Sequence, residues 1–364
     1  MEDSHDAATQ PPAKRSRRPL SSSEDRPDQV ADPRSVHPVG FWAREGHWPR
    51  ELFGTDMERA LARKRFLFSP EHKTSDFVSA AMPSDQQQRE EKNITTESKT
   101  LCDSLLKKNQ HVPEGSLFRD ESFEAACQKI RNGNEERVIR DISRLIVPSA
   151  ESLATLGAIH LENLVESVND GWNNSIPLIG SRPQPDYSVG FPREAFTDGQ
   201  LARLSPFIGD IAGDMSLFMA TCYMYFPFLA CEFKCSDTAL NVADRQNAHT
   251  MALAARGVVE LFRLVKRGEE INRQILCFSV SHDHCSVRIY GYYPVIDGAD
   301  TKYHRHSIHS LDFTTMDGKD RWTAYRFTKN IYDVWMPEHF KKICSAIDQL
   351  PKDVPALSES TDLC

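Results

Sequence analysis

The sequence contains no run that approaches the roughly 20 consecutive apolar residues of a transmembrane helix. Its N-terminus, MEDSHDAATQPPAKRSRRPL, also lacks the apolar core of a secretory signal peptide. The nine cysteines are odd in number and include no CxxC pair, which favours reduced thiols over a disulfide framework. Together these absences predict a nuclear or cytoplasmic protein that is neither secreted nor inserted in a membrane.

Several familiar enzyme signatures are missing as well. The sequence has no P-loop, Rossmann glycine pattern, GxSxG or HExxH motif, so it gives no support for P-loop nucleotide hydrolysis, hydride transfer or the common hydrolase mechanisms. The formal net charge of -8 argues against a protein that coats nucleic acid through general electrostatics. A local basic surface is still compatible with that charge.

Composition divides the chain into five segments. Residues 1–36 are rich in Ser, Pro, Asp and Arg and poor in aromatic residues, which predicts a disordered tail because too little apolar surface is available for burial. Residues 37–82 form an aromatic-rich accessory segment that is predicted to dock on the main domain, and residues 83–112 are predicted to be a polar linker. The main domain is expected over residues 113–351, followed by a C-terminal tail over residues 352–364.

The predicted tail carries a basic cluster with two interpretations. Four cations lie within five positions, at Lys14, Arg15, Arg17 and Arg18. Such a cluster is either a solvated charge run or a nuclear import signal for an acidic receptor groove. Flanking prolines and predicted disorder would make it accessible, so we favour nuclear import, with an import receptor as partner.

The first half of the main domain contains helix, strand and insertion signals. Ser149 is predicted to cap a helix that continues through LATLGAIHLENLVESV, residues 153–168. DYSVGF is then a predicted strand, and PREAFTDGQLARLSPFIGDIAGD a helical insertion. FPFLACEFKC is an apolar run between polar residues, which is typical of a buried central strand.

The second half continues the alternation. A long helix is predicted over about 239–267. ILCFSVSHDHCSVRIYGYYP predicts two strands joined by a turn at Asp283 and His284, and a final helix follows Pro337. The resulting order of helix, three strands, helix and strand defines an α/β core.

One charged motif interrupts the predicted central strand. Glu-x-Lys occurs four times, starting at Glu71, Glu90, Glu97 and Glu232, but only the last occurrence lies in an apolar run. Because side chains alternate along a strand, Glu232 and Lys234 are expected on one face. Buried charges are costly unless they are paired or bind a metal.

Asp186 is the candidate partner of Glu232. It lies at the start of the preceding predicted strand, where it is expected beside Glu232 across the sheet. Two neighbouring carboxylates repel each other, and a hard divalent cation with oxygen ligands relieves that repulsion. The sequence therefore predicts a site for Mg²⁺ or Mn²⁺.

These residues carry a resemblance. Pro185-Asp186 followed by Glu232-Phe233-Lys234, with helices in the expected order, resembles the PD-(D/E)XK nuclease superfamily. From about Val112 to Leu350 the chain also resembles a large, uncharacterised fungal protein family, through RPQPDYSVGF, CEFKC, ADRQNAH, GVVELFRLVKR, SHDH, VRIYGYYPVI and WTAYRFTKNIYDVWMP. The superfamily resemblance implies a restriction-endonuclease-like core, in which helices flank a mixed central sheet.

The superfamily resemblance also implies residue roles. Asp186, Glu232 and the carbonyl of Phe233 would hold the metal, while Lys234 would orient or activate the attacking water. The superfamily further places an acidic residue on its first helix, for which the candidates are Glu162 and Glu166. Both fall off the apolar stripe of the predicted helix, which favours an ordinary solvated face for each.

The predicted helix after Lys234 carries a basic stripe. At 100° per residue, four arginines fall within roughly 40° of one another, and these are Arg245, Arg256, Arg263 and Arg267. The stripe either tracks a nucleic-acid backbone through bidentate phosphate contacts or is a solvated face with intrahelical partners such as Glu260. Gln246 lies beside the stripe, where related nucleases often place a polar site residue.

Two further segments contain histidines that are potential metal ligands. His282, His284 and Cys285 are typical zinc ligands, but no second pair of ligands is apparent, and a turn between strands explains the segment equally well. His304, His306 and His309 lie in a predicted His-rich loop without carboxylates. Both segments are interpreted as structural or surface features.

The leading functional hypothesis is a metal-dependent nuclease, or a nuclease-derived protein, that acts on phosphodiesters of DNA or RNA in the nucleus. One alternative is a catalytically inactive nucleic-acid-binding module of the same fold. Another is a nuclear protein-interaction or effector-like protein that binds through its aromatic segments. Catalysis is favoured because Asp186, Glu232 and Lys234 are all present, whereas a pure binder would not need buried charges.

Overall fold

The computed structural model describes residues 94–131, 135–178, 181–208, 215–234 and 237–351. The predicted tail with its basic cluster, the aromatic-rich segment and the C-terminal tail lie outside these residues. The predictions for those three segments are therefore unchanged.

The helices in the described part of the chain vary from one turn to more than seven. They are α1 (Thr96–Lys107), α2 (Asp120–Arg131), α3 (Glu135–Val138), α4 (Arg144–Ile146), α5 (Ala150–Thr155), α6 (Asp198–Ile208), α7 (Asp237–Leu264), α8 (Thr323–Asn330) and α9 (Met336–Ile347). A π-helical segment, Ile139–Ser143, joins α3 to α4, and another, Ile331–Trp335, joins α8 to α9. Among these helices, none combines the length and apolar character required to cross a bilayer.

One mixed sheet organises the fold. Its strands are β1 (Val165–Val168), β2 (Tyr187–Phe191), β3 (Met219–Thr221), β4 (Met224–Phe233), β5 (Cys277–His282), β6 (Ser286–Asp297) and β7 (Asp300–Asp312). The strand order is β1-β2-β4-β5-β6-β7, and β3 pairs with the start of β4. β4 and β5 are parallel because α7 carries the chain back between them, whereas the other pairs are antiparallel. The predicted α/β fold with a mixed, helix-flanked sheet is confirmed.

The sheet is covered on both faces. Every residue of β4 is buried, which explains its almost uninterrupted apolar sequence. Helix α7 packs on one face across β4, β5 and β6. On the other face, the ring of Phe278 contacts Phe327 of α8 and Trp335 of the following π-helical segment. A polar side chain on the central strands is therefore shielded from solvent by the helices on one face or the other.

A helix occupies the second half of the predicted linker. The chain was expected to be a polar linker over residues 83–112, but α1 lies within that range and packs on the domain. Its Cys102 and Leu105 are buried one turn apart, and the Asn330 side chain donates to the carbonyls of Leu105 and Lys108 at 2.8 Å each. The linker prediction is wrong for this part because a few well-spaced apolar residues are enough to anchor an otherwise polar helix.

The predicted helix over residues 153–168 ends early. Ser149 caps α5 as expected, since its hydroxyl accepts a hydrogen bond from Ser152 N. Gly157, at φ 110°, then closes a Schellman motif in which Ala158 N donates to Leu153 O and Gly157 N donates to Ala154 O. A 3-10 turn and strand β1 follow, so the second half of the predicted helix is wrong.

The predicted His-rich loop is a strand. His304, His306 and His309 lie on the edge strand β7 and pair with Tyr293, Gly291 and Ile289 of β6. In the described part of the chain, these histidines do not belong to a group of metal-ligand atoms within 4.8 Å of one another. The loop prediction is wrong because the pairing of β7 with β6 extends through all three positions.

Gly257 allows α7 to approach the segment before β3, which provides a test of the packing. A Cβ atom at this position would lie 2.5 Å from the carbonyl oxygen of Leu217. We expect Gly257→Ala to destabilise the protein by about 1–3 kcal/mol, because the clash outweighs the helix propensity of alanine. Denaturant unfolding measures this difference. Gly199→Ala on α6 is the control, since its Cβ would meet only Thr197 Oγ1 at 3.9 Å; equal unfolding free energies for the two variants would contradict this packing.

Candidate active site

The strand register brings three of the predicted site residues together. β2 and β4 are antiparallel with Tyr187 opposite Cys231, so continuing the ladder by one residue places Asp186 opposite Glu232. Lys234 Nζ lies 3.4 Å from Asp186 Oδ2 and 3.4 Å from Glu232 Oε2. A compact cluster of one ammonium and two carboxylates therefore occupies the end of the central strand.

Backbone hydrogen bonds hold this cluster in place. Phe233 N donates to Asp186 Oδ2 at 3.0 Å, which ties the aspartate to the strand that carries Glu232. Lys234 N donates to the His282 carbonyl at 3.0 Å, so the pairing of β4 with β5 extends past the last strand residue. The positions of the two carboxylates are thus set by backbone pairing.

The electrostatics of Glu232 are unfavourable without a further cation. The residue is 1% exposed. Burial and the neighbouring Asp186 carboxylate raise the pKa of Glu232 from 4.5 to about 8, although Lys234 partly offsets them. The protein therefore holds a carboxyl group that resists ionisation near neutral pH.

The donor set fits a hard divalent cation. Carboxylate oxygens are the ligands that Mg²⁺ and Mn²⁺ prefer, and a cation between Asp186 and Glu232 would remove the repulsion that raises the pKa of Glu232. The two contacts of Lys234 are longer than the 2.7–2.9 Å typical of strong charge-assisted hydrogen bonds. Within the described residues, no third Asp, Glu, His or Cys joins the pair in a group with ligand atoms within 4.8 Å. Water and backbone oxygen would complete the shell, as is usual for Mg²⁺.

The acidic residues predicted on the first helix do not join the cluster. Glu166 lies on β1 opposite Val189, which in turn lies opposite Leu229, and this register places Glu166 on the opposite face of the sheet from Glu232. Its carboxylate accepts hydrogen bonds from Ser149 Oγ, Glu151 N and Arg144 NH1, so it anchors the α4–α5 segment. Glu162 is exposed after the 3-10 turn. The predicted helix gives way to a strand here, so the candidate Glu166 faces away from the cluster, and its nearly buried side chain is not on the solvated face that was favoured for it.

The predicted basic stripe is not a solvated surface. Arg256 is 8% exposed and donates to the Ile176 carbonyl. Arg263 donates to the Ala299 carbonyl at 2.8 Å and to Thr301 Oγ1 at 2.6 Å, beside the β6–β7 turn. Arg267 lies beyond the end of α7 and pairs with Glu270. Of the four arginines, Arg245 alone is exposed, so the other three do not form a solvated face. Arg263 has the expected intrahelical partner, Glu260, at 3.9 Å.

Gln246 lies on the flank of α7 that faces β4. The Asn247 side chain donates to the Val280 carbonyl and Ser281 Oγ of β5, at 3.0 Å each, which places α7 above that strand. One flank of α7 faces β6, because Asp244 binds Arg288 there at 2.7 Å. At 100° per residue, Gln246 lies on the other flank and is exposed. It is therefore on the side of the carboxylates.

Two buried polar groups that the sequence pattern does not predict lie beside the cluster. Ser281 is the register partner of Glu232 and is fully buried together with Asn247, which hydrogen-bonds to it. A polar pair in contact across a helix and a strand has no local sequence signal, although an asparagine on an apolar helix face is a hint. The pair locks α7 onto β5 next to Glu232.

The turn between β5 and β6 contains a second group of ligand-type side chains. Asp283, His284 and Cys285 offer ligand atoms that all lie within 4.8 Å of one another. His282 is not part of the group: it is fully buried, and its Nδ1 lies 3.1 Å from the Asp283 carbonyl oxygen. The interpretation of SHDHC as a turn holds, since Asp283 Oδ1 accepts from Cys285 N and Ser286 N.

The fold and the cluster define an α/β protein in which the buried Glu232 and the partly exposed Asp186 and Lys234 meet at the end of the central strand. A family model described as Domain of unknown function (DUF7924) matches residues 122–347, which is more than half of the chain. The chain belongs to this family, and Asp186, Glu232 and Lys234 all lie within the matched residues. A search of curated proteins finds no match, and a search of solved structures also finds none.

Proposed function

We propose that this domain is a metal-dependent phosphodiesterase that acts on DNA or RNA and resembles the PD-(D/E)XK nucleases. The observation that carries the proposal is the convergence of Asp186, Glu232 and Lys234 at the end of a buried central strand. Such a cluster raises the free energy of the folded protein unless it binds something. Ionisable groups with strongly shifted pKa values are concentrated at functional sites in proteins.

The arrangement of elements supports the same proposal. Strands β1, β2 and β4 form an antiparallel unit, helix α7 crosses over, and β5 returns parallel to β4. This order is compatible with the mixed, helix-flanked sheet that the superfamily resemblance implies, and Asp186 and Glu232 lie at adjacent strand ends within it. The remaining strands β6 and β7 extend the sheet on the side away from the cluster.

Each side chain has a definable task. Asp186 and Glu232 would hold Mg²⁺ or Mn²⁺, and the bound ion would lower the pKa of a coordinated water and stabilise negative charge on the phosphate. Lys234 forms an ion pair with both carboxylates, so its ammonium can donate to the attacking water or to a phosphate oxygen. Gln246, exposed on the facing flank of α7, is available to contact the substrate.

The burial of most of the predicted basic stripe argues against the alternative of an inactive nucleic-acid-binding module. A pure nucleic-acid-binding module needs many exposed cations, yet Arg256, Arg263 and Arg267 are committed to contacts within the domain. Catalysis at the carboxylate cluster is therefore the better-supported proposal. Nuclear location is a separate part of the proposal and depends on the basic cluster of residues 14–18.

Lys234→Met tests the assigned role of the lysine. Removing the ammonium should strengthen Mn²⁺ binding, because the two carboxylates lose a positive charge that competes with the ion. It should also slow cleavage by on the order of 10²–10³-fold, which is the range of general acid–base effects. Calorimetry and a plasmid-nicking assay measure the two quantities. Lys107→Met on the exposed surface of α1 is the control and should change neither. Unchanged cleavage by Lys234→Met would remove the lysine from the mechanism.

A further inference from the structure

The β5–β6 turn brings together three metal-ligand types in a group that does not include the carboxylate pair. Ligand atoms of Asp283, His284 and Cys285 all lie within 4.8 Å of one another, and Cys285 Sγ is 3.3 Å from Asp283 Oδ1. Neighbouring ligands of a tetrahedral ion with bonds of about 2.0–2.3 Å are separated by comparable distances. The spacing therefore requires only small side-chain adjustments to enclose an ion.

The carboxylate of Asp283 supplies a second, independent observation. The residue is fully buried. Its Oδ1 accepts hydrogen bonds from Cys285 N at 2.8 Å and Ser286 N at 2.7 Å, and these bonds form the turn. Its Oδ2 is buried and has no hydrogen-bond partner among the residues that the structure describes. A buried carboxylate oxygen without a partner is costly, and turn formation explains only the other oxygen.

We propose that Asp283, His284 and Cys285 form a binding site for a zinc-class divalent ion. Thiolate and imidazole ligands select zinc-class metals over Mg²⁺, so this turn and the all-oxygen pair of Asp186 and Glu232 would take different ions. His284 and Cys285 are half-buried, so the ion can enter from solvent and water can fill the fourth position. Binding releases the Cys285 thiol proton to solvent, because the thiolate is the ligand. This inference does not depend on the proposed nuclease activity.

The location of the turn gives the ion a structural consequence. The turn begins directly after His282, whose carbonyl accepts the hydrogen bond from Lys234 N. An ion that fixes residues 283–285 would therefore brace the end of β5 against the strand end that presents Lys234. Zinc should raise the thermal stability of the folded protein, because it binds the assembled turn and not the unfolded chain.

Cobalt titration tests the proposal, because a cobalt–thiolate bond has a charge-transfer absorption that oxygen and nitrogen ligands do not produce. The full-length protein, reduced and freed of metal, is titrated with Co²⁺ and then with Zn²⁺. We expect the band to saturate at one Co²⁺ per chain and to disappear when Zn²⁺ displaces the cobalt. Cys285→Ser should abolish the band. His284→Asn should weaken cobalt binding by about tenfold or more, because loss of the contacts that support a ligand already lowers metal affinity by about that factor.

Two controls separate this site from others in the chain. Cys344→Ser, at another half-buried cysteine on α9, should keep the band, and so should Asp186→Ala in the carboxylate pair. If Cys285→Ser does not fold, the effect of zinc on Tm is compared between His284→Asn and the unchanged protein. A rise in Tm of the unchanged protein alone supports the site. Absence of the band in the unchanged protein, or its persistence in Cys285→Ser, would overturn the proposal.

Discussion

Glu232→Gln is expected to lower Mg²⁺-dependent cleavage of DNA or RNA by on the order of 10³-fold or more, since metal catalysis contributes several kcal/mol to transition-state stabilisation. The substitution keeps the shape of the side chain and removes its charge. Because glutamine has nearly the same volume as glutamate, we expect the variant to retain the packing of the buried strand β4. Initial rates of cleavage on supercoiled plasmid, single-stranded DNA and RNA measure the loss.

A matched control is available on the surface. Glu97 also begins a Glu-x-Lys sequence, but it is exposed on α1, and Glu97→Gln should cleave at the rate of the unchanged protein. Both variants should unfold cooperatively, which separates loss of the site from loss of the fold. Full activity of a folded Glu232→Gln protein would exclude the carboxylate from metal binding.

The loss of stability with rising pH that Glu232 causes in the unchanged protein should be absent from Glu232→Gln. In the folded protein the pKa of Glu232 is raised to about 8, so the folded state retains a proton that the unfolded state releases above about pH 4.5. The free energy of unfolding should therefore fall as pH rises from about 4.5 to about 8. Glu232→Gln lacks this loss and should be more stable than the unchanged protein at pH 9, by a few kcal/mol, since each pKa unit corresponds to about 1.4 kcal/mol.

Urea unfolding of both proteins at several pH values, with and without Mg²⁺, measures this difference. Added Mg²⁺ should stabilise the unchanged protein at pH 9 and leave Glu232→Gln nearly unaffected, because the ion binds the ionised pair in the folded state. Parallel pH profiles for the two proteins would show that Glu232 ionises normally. That result would remove the electrostatic argument for a bound cation.

The central strand and its charged cluster could be predicted because their signals are local. An apolar run with Glu232 and Lys234 two positions apart indicates one face of a buried strand, and alternation alone places both side chains on that face. The pairing of Asp186 with Glu232 could be predicted because Asp186 lies at the start of a neighbouring predicted strand. The antiparallel register of β2 and β4 places it opposite Glu232.

Other features depend on tertiary contacts that no local pattern encodes. The periodicity of α7 correctly predicts a helix, but it cannot show that segments near Ile176 and Thr301 cover the face that carries Arg256 and Arg263. Likewise, Gly157 stops α5 through a backbone conformation, so the apolar spacing that continues beyond it belongs to a turn and a strand. Burial of a nominally polar helix face is decided by the elements that pack on it.

The central claim is that Asp186 and Glu232 hold a divalent cation, and calorimetric titration of Mn²⁺ tests it most directly. The full-length protein, Asp186→Ala and Glu232→Ala are titrated at pH 7 in two buffers of different ionisation enthalpy. We predict saturable binding by the unchanged protein with net proton release, because the ion displaces the proton that Glu232 retains below about pH 8. Both folded variants should lose this binding. Equal Mn²⁺ binding by all three proteins, or no binding by the unchanged protein, would contradict the claim.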